Sequence, residues 1–537
     1  MMSMAALLLV CLFPLLFMNS CEAQRVLSDA AEAGSQSSQA PLLPQPQTFT
    51  MGLDTASVCS MFVFRTPQRS ELLMKAFQHY KKLIFGHESR MKLKSNCVKG
   101  VVIIVSDVST THNLYPSLET NESYTLTVSK SGYATLKAIT EFGALRGLET
   151  FSQLVTFNFT HKLYQVSNTP WNIIDFPRFQ HRGLLIDTAR HFQPVTNIKR
   201  VLDSMAYAKL NVMHWHIVDT QSFPMEVRKY PNMWEGAYSF WERYTQEDIY
   251  SITEHARLRG IRVIPEFDIP GHAASWCAGY PDLCPSSTCT QPLNPSKNLT
   301  FEIIEDLLKE VTGQADAPPL FPDRFLHLGG DEVNVTCWET SSAVNRWMRK
   351  NNLDSYEDVY KHFVQYGHRV SESIGRNVIN WEEVSNNFGN TLNSNTVIQI
   401  WISQINIANV VRNGYRCIDS YENHWYLDWH RTKWQTVYTH EPCKFVHNKD
   451  DEKLVIGGEV CAWGEYIDGS DLDSTIWPRA AAAAERLWSR RDVNDIDSME
   501  PRLASFRCLL HRRGITSSPL QSDARREPFG PGGCNMQ

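Results

Sequence analysis

The feature that most limits the fold is a recurrence of short apolar runs, most of which end in polar or aromatic side chains. They lie at residues 183–187, 212–219, 261–268, 325–332, 378–382, 397–401, 417–420 and 454–460. Runs this short, bounded by loops, suit strands buried on both faces. Helix-prone sequence follows several of them, as at 245–259 and 480–488. Strand–helix repetition of this kind builds parallel sheets, and eight such units fit a (β/α)8 TIM barrel. A doubly wound open sheet is the alternative. The first run is not followed by a Gly-x-Gly-x-x-Gly turn, which counts against a dinucleotide fold.

The rest of the chain divides around that core. Residues 5–17 form an apolar stretch, and Cys21-Glu22-Ala23 reads as a small-residue cleavage site. Residues 1–23 are therefore expected to be a signal peptide, with an uncleaved anchor as the alternative. No later stretch reaches the roughly 18 apolar residues of a transmembrane helix, so no membrane association is expected after its removal. Residues 24–48, rich in Ala, Ser, Gln and Pro, read as a linker or pro-segment. Strand-like runs at 101–105 and 123–128, then a helical stretch at 144–151, predict a small α+β domain over 49–175. The barrel with a C-terminal extension fills 176–537.

Secretion fits other features. Sequons stand at Asn121, Asn158, Asn298 and Asn334. Of 13 cysteines, 11 remain once Cys11 and Cys21 are removed, an odd count that suits disulfides plus at least one free thiol. No Cys-x-x-Cys pair occurs, so no zinc site is expected, and no other metal or cofactor is implied. A net charge of −6 gives no nucleic-acid footprint.

Barrel enzymes carry their active sites at the C-terminal ends of the strands. Those ends here offer Asp187, Arg190, Asp219, Asp268, His272, Asp331, Glu332 and Glu382. Carboxylates in a chain with 15 Trp point to sugar chemistry, since indole faces stack on sugars. Adjacent Asp331 and Glu332 pose a geometric question. Strand neighbours point to opposite faces, so this pair is poorly placed to clamp one glycosidic bond from both sides. One acid could protonate a leaving oxygen while the other holds a group of the substrate. That favours substrate-assisted chemistry.

The run His327-Leu328-Gly329-Gly330-Asp331-Glu332-Val333 is similar to the signature of the β-N-acetylhexosaminidases of glycoside hydrolase family 20. The resemblance extends over about 170–534, through Asp187-Thr188-Ala189-Arg190-His191, Glu266-Phe267-Asp268-Ile269-Pro270-Gly271-His272, Trp463-Gly464-Glu465, Trp477-Pro478-Arg479-Ala480 and Ala484-Glu485-Arg486-Leu487-Trp488. It is closest to eukaryotic lysosomal and plant vacuolar members. It implies removal of terminal β-linked GlcNAc and GalNAc from glycans such as N-glycans and chitooligosaccharides, with retention. Glu332 would be general acid/base. Asp331 would orient the 2-acetamido group, and Asp219 and His272 would tune Glu332. The charge of Asp331 is expected to raise the pKa of Glu332. Tyr426 would donate to the acetamido carbonyl, and Arg190, Glu465 and Asp428 would bind sugar hydroxyls. Trp381, Trp401 and Trp463 would wall the acetamido methyl and ring.

The resemblance also implies disulfides Cys59–Cys97, Cys289–Cys337 and Cys508–Cys534, with Cys277–Cys284 suggested only by proximity. Homodimerisation is expected by analogy, and with no retrieval tetrapeptide at the C-terminus a vacuolar, lysosomal or extracellular destination stays open. Thr220 stands where some relatives have a second Asp. Trp429 replaces an Arg of the ganglioside-handling animal subunit, which favours neutral substrates. Two alternatives stay open: a catalytically silent glycan-binding protein, and a two-carboxylate glycosidase using Glu266 or Asp268.

Overall fold

A computed structural model of the chain describes residues 40–89, 96–107, 115–314 and 318–520. The expected signal peptide lies outside them. The N-terminal unit is a six-stranded sheet in the order β1-β2-β4-β3-β6-β5. Its strands are β1 Thr48–Arg65, β2 Val98–Val105, β3 Tyr124–Val128, β4 Gly132–Ala138, β5 Val155–Asn158 and β6 Leu163–Asp175. Alternate residues of β3 are buried, so one face is covered and the other is wet. Two helices provide cover, α1 (Glu71–Ile84) and α2 (Glu141–Leu154). Each begins on a hydroxyl cap: Ser70 accepts from Leu73 N–H, and Thr140 from Gly143 N–H.

The second unit is a closed parallel barrel. Its strands are β7 His181–Asp187, β8 Val212–His216, β9 Arg262–Glu266, β10 Phe325–His327, β11 Asn377–Trp381, β12 Val397–Ile400, β13 Arg416–Asp419 and β14 Val455–Ala462. Each of the eight apolar runs supplies one strand. Six of the strands stop earlier than their runs, whereas β7 ends with its run and β14 continues to Ala462. β10 ends at His327, so Asp331 and Glu332 lie on a loop and strand alternation does not set their directions. That loop is bent by left-handed backbone at Gly329 (φ +56), Gly330 (φ +92) and Glu332 (φ 48).

The barrel interior is layered. Its lower layer is aliphatic and aromatic: Val212, Ile264, Phe325, Ile379, Val397 and Ile418, with Leu118 packed among them. The next layer up is polar, with His214, Glu266, His327, Gln399 and Glu459 all buried. Above it sit Leu185, Trp381, Tyr426 and Trp463.

The expected linker 24–48 needs correction at its downstream end. Ala40, Leu42 and Leu43 are buried. Gln45 N–H donates to Glu485 (2.9 Å). Gln47 donates through its N–H to Asp175 (3.0 Å) and through Nε2 to the Trp488 carbonyl (2.8 Å). These residues form a strap across both units. Proline- and glutamine-rich sequence reads as loop, yet its amides find partners far along the chain.

Buried ions also join the units. Glu122 receives Arg146 and Arg182, each at 2.7 Å, and Asp175 receives Lys209 at 2.8 Å. Disulfides link Cys59–Cys97, Cys277–Cys284 and Cys289–Cys337. Cys508 is also disulfide-bonded, and Cys534 lies outside the described residues. Asn298 and Asn334 are exposed, whereas Asn121 and Asn158 are half-buried. Among the described residues no helix is long and apolar enough to cross a membrane.

Candidate active site

The loops after β7, β8, β9, β10 and β14 converge at the C-terminal mouth of the barrel. The Gly329–Gly330 turn that carries Asp331 and Glu332 is held on three sides. Asp268 accepts the Gly330 N–H (2.8 Å), Asn380 Nδ2 donates to the Gly329 carbonyl (3.0 Å), and Tyr360 Oη donates to the Gly330 carbonyl. A Cβ on Gly329 would lie 2.0 Å from Asp268 Oδ1, so only glycine fits there.

His272 stands between the carboxylates. Its Nδ1 is 3.2 Å from Asp219 Oδ1, and its Nε2 is 3.4 Å from Glu332 Oε2 and 3.6 Å from Asp331 Oδ2. Burial opposes a charge on His272, but Asp331, Asp219 and Glu332 outweigh it and raise its pKa well above the usual imidazole value. Glu332 moves the other way. The hydrogen bond from His272, opposed by partial burial, holds its carboxyl below the ordinary value. This corrects the expectation that Asp331 raises it, because the nearer charge is the imidazolium. The Glu332 side chain is 60% exposed and that of Asp331 is 13% exposed.

Asp268 forms a carboxyl pair with Asp331. Burial first, then the Asp331 charge, raise the Asp268 pKa, so Asp268 keeps its proton and donates it to Asp331. Asp331 Oδ1 is buried without a hydrogen-bond partner.

Arg190 is fixed by Asp187 and Asp219, both at 2.9 Å, with Glu465 3.7 Å away. Its guanidinium lies 5.1 Å from the Trp463 ring centroid. The Trp rings and Tyr426 form one cage: Trp401 stacks on Tyr426 (centroids 6.3 Å apart, 10° between planes), and Trp463 lies 6.1 Å from Tyr426 and 5.8 Å from Trp381. Burial raises the Tyr426 pKa, so its hydroxyl stays a donor. Asp428 is pushed up to about 7 by burial, and its Oδ1 is also unpartnered. Asp187, Arg190, Asp219, His272, Asp331, Glu332, Tyr426 and the three Trp rings are all brought together at this one mouth.

Glu382 does not act there. Its carboxylate ties down the Trp401 and Ile402 amides at 2.8 and 2.9 Å. Its neighbour Glu383, which sequence reasoning passed over, accepts from Trp401 Nε1 (3.0 Å) and is pushed up to about 7 by burial. Nothing in a Glu-Glu pair says which one faces a cleft. Tyr360 and Asn380 were likewise missed, since their role is to hold a backbone turn. Two groups, His214–Glu266–His327 and Asp268–His272–Asp331, bring possible metal-ligating atoms within 4.8 Å of one another. In both, the carboxylates are already engaged with imidazoles or with another carboxyl.

Comparisons with known proteins agree with this geometry. Residues 179–491 match the glycosyl hydrolase family 20 catalytic domain, and residues 42–154 match a domain described as beta-acetyl hexosaminidase like. Beta-hexosaminidase 1 of Arabidopsis thaliana is 45% identical over 516 residues, covering 92% of this chain and 94% of that protein. The human beta-hexosaminidase subunit beta is 36% identical, covering 96% and 94%. A solved chitobiase from Flavobacterium johnsoniae superposes with a TM-score of 0.78 at 29% identity, covering 90% of this chain and 74% of that one. A match spanning the barrel, with relatives of nearly equal length, makes this chain a member of glycosyl hydrolase family 20.

Proposed function

We propose that the chain hydrolyses terminal non-reducing β-linked N-acetylglucosamine and N-acetylgalactosamine with retention, using the substrate's own acetamido oxygen as nucleophile. The observation that carries this is Asp331 Oδ1, buried and unpartnered in a loop beside the aromatic cage. A buried lone carboxylate oxygen needs a donor, and an acetamido N–H supplies one. Tyr426 then donates to the acetamido carbonyl, and the cage receives the methyl. The Asp331 carboxylate balances the positive charge of an oxazolinium intermediate. Neither Glu266 nor Asp268 replaces the substrate nucleophile, because both are buried beneath the mouth.

Glu332, the more exposed of the Asp331–Glu332 pair, acts as acid and then as base. The hydrogen bond between His272 and Glu332 holds the Glu332 carboxyl down and helps raise His272 against burial, so the two can exchange a proton. Arg190, Glu465 and Asp428 bind ring hydroxyls. Homodimerisation and a route through the secretory pathway complete the reading, with the exposed sequon asparagines in support of the latter.

A chromogenic N-acetylglucosaminide compared with the matching glucoside is the direct test. The glucoside should be nearly inert. Comparable turnover of both would overturn the substrate-assisted step. Sugar binding without any turnover would favour the glycan-binding alternative.

A further inference from the structure

A chain of alternating acids and imidazoles runs down from the active site through the barrel interior. Asp219 Oδ2, on the far side of the Asp219–His272 contact, is 2.6 Å from His216 Nε2. His216 Nδ1 is 2.5 Å from Glu266 Oε2. The same Glu266 oxygen is 3.0 Å from His214 Nε2, and His214 Nδ1 is 2.7 Å from Glu459 Oε1. Glu459 Oε2 then meets His181 Nε2 at 3.0 Å, at the start of β7. The sequence gives room for this. Gly183 stands where any Cβ would lie 2.4 Å from Glu459 Oε2. Barrel interiors are ordinarily filled by branched aliphatic side chains, and burying ions instead is costly unless each is paired.

Glu266 is the hub. Its Oε1 accepts from Trp381 Nε1 (2.8 Å), an indole of the cage, and lies 3.0 Å from His327 Nδ1. Its Oε2 hydrogen-bonds His216 and lies 3.0 Å from His214 Nε2. Among the described residues it is the one carboxylate that touches the relay, the cage and the strand leading into the Asp331–Glu332 loop.

We propose that Glu266 is a positioning residue for the hydrolysis, orienting His216 and through it Asp219 and His272 toward Glu332. This rests on the reading of Glu332 as general acid. The charge pattern agrees. Burial opposes ionisation of Glu266, but His327, His216 and His214 outweigh it and keep it a carboxylate. Burial likewise opposes a charge on His216, which Glu266 and Asp219 restore. The result is an ordered alternation of charge: Glu266 negative, His216 positive, Asp219 negative, His272 positive.

The test is Glu266→Gln, which keeps volume and removes charge, assayed on chitobiose and on a nitrophenyl N-acetylglucosaminide. A misplaced general acid hurts poor leaving groups most. Turnover of chitobiose should fall by about 100-fold with KM changed less than about two-fold, and that of the nitrophenyl glycoside by about ten-fold or less. In an Asp219→Asn background the added loss should shrink to about two-fold, because both act through one chain. Equal losses on the two substrates, full additivity, or unchanged kcat would each overturn the proposal. Should Glu266→Gln fail to fold, Glu459→Gln reports one link further away. It should show the same leaving-group bias at about three-fold, and its absence counts against the chain. Asp219→Asn alone separates the two levels. If that variant lacks leaving-group dependence, the reading of Glu332's relay fails along with the inference; if it shows the dependence and Glu266→Gln does not, only the inference fails.

Discussion

Two buried ionic networks share this molecule, and they are built from different bases. At the domain interface Glu122 and Asp175 are paired with Arg146, Arg182 and Lys209. Inside the barrel Glu266 and Glu459 are paired with imidazoles. Both sets of acids are almost fully buried, so both carry a similar desolvation cost. Arg182 is lowered by burial only to about 10, and so keeps its charge across the working range. Among the barrel imidazoles, His214 and His216 are raised against burial by the carboxylates around them, whereas burial lowers His181 and His327. A network of fixed charges fastens surfaces together, whereas a network of histidines can hand protons on.

The sharpest way to break that contrast lies at the mouth of the barrel. Glu332→Gln should lower kcat on chitobiose by about 1,000-fold while leaving Tm nearly unchanged. A large fall in Tm would show that the exposed acid is structural. At the interface the opposite is expected. Arg182→Met leaves Glu122 short of a partner and should cost about 3 kcal/mol in denaturant unfolding, with kcat of the folded fraction unaltered. A loss of turnover there would blur the two networks into one. Asp331→Asn tests the cage side and should reduce kcat by about 100-fold. That loss should be absent for any residual turnover of a glucoside, which has no acetamido group to hold.

The smallest effect is the most diagnostic of the bases involved. His214 is opposed by burial but raised by Glu459 and Glu266 to about 9 from 6.5. A raised base stabilises fully below 6.5, and that contribution fades as pH climbs toward 9. On the acid side, Arg178 and Arg486 overcome burial to hold Glu441 near 2 rather than 4.5. Its contribution is present above 4.5 and is lost as pH falls toward 2. Thermal stability should therefore peak between these limits and decline by a few degrees toward pH 9, by about 1 kcal/mol. A flat Tm from pH 6.5 to 9 would mean that His214 is not charged.

The barrel was legible because strands buried on both faces must be apolar, and helices must separate parallel neighbours. The catalytic loop was legible because Gly329-Gly330-Asp331-Glu332 concentrates backbone freedom and charge. Its geometry was not, since the strand stops at His327 and glycine φ values decide where each carboxylate points. His214, His216 and Glu266 were visible inside apolar runs, but a linear sequence does not say that they face one another across the barrel. Nor does it show that Asp268 meets Asp331 from a different loop. The segment just before β1 was misread for a related reason: its composition is that of a loop, and its anchors lie about 440 residues away in Glu485 and Trp488.

That strap has a practical consequence for anyone handling the protein. Gln45 and Gln47 hydrogen-bond carboxylates of both units, Glu485 and Asp175, and Gln45 also receives the Ser489 hydroxyl at 2.6 Å. A protease, an affinity tag or a fusion junction placed upstream of Ala40 leaves these bonds alone. Trimming only eight residues beyond that point, to the start of β1 at Thr48, would strip the clasp from the seam between the units. The safe edge for truncation lies before the first strand, inside sequence that looks dispensable.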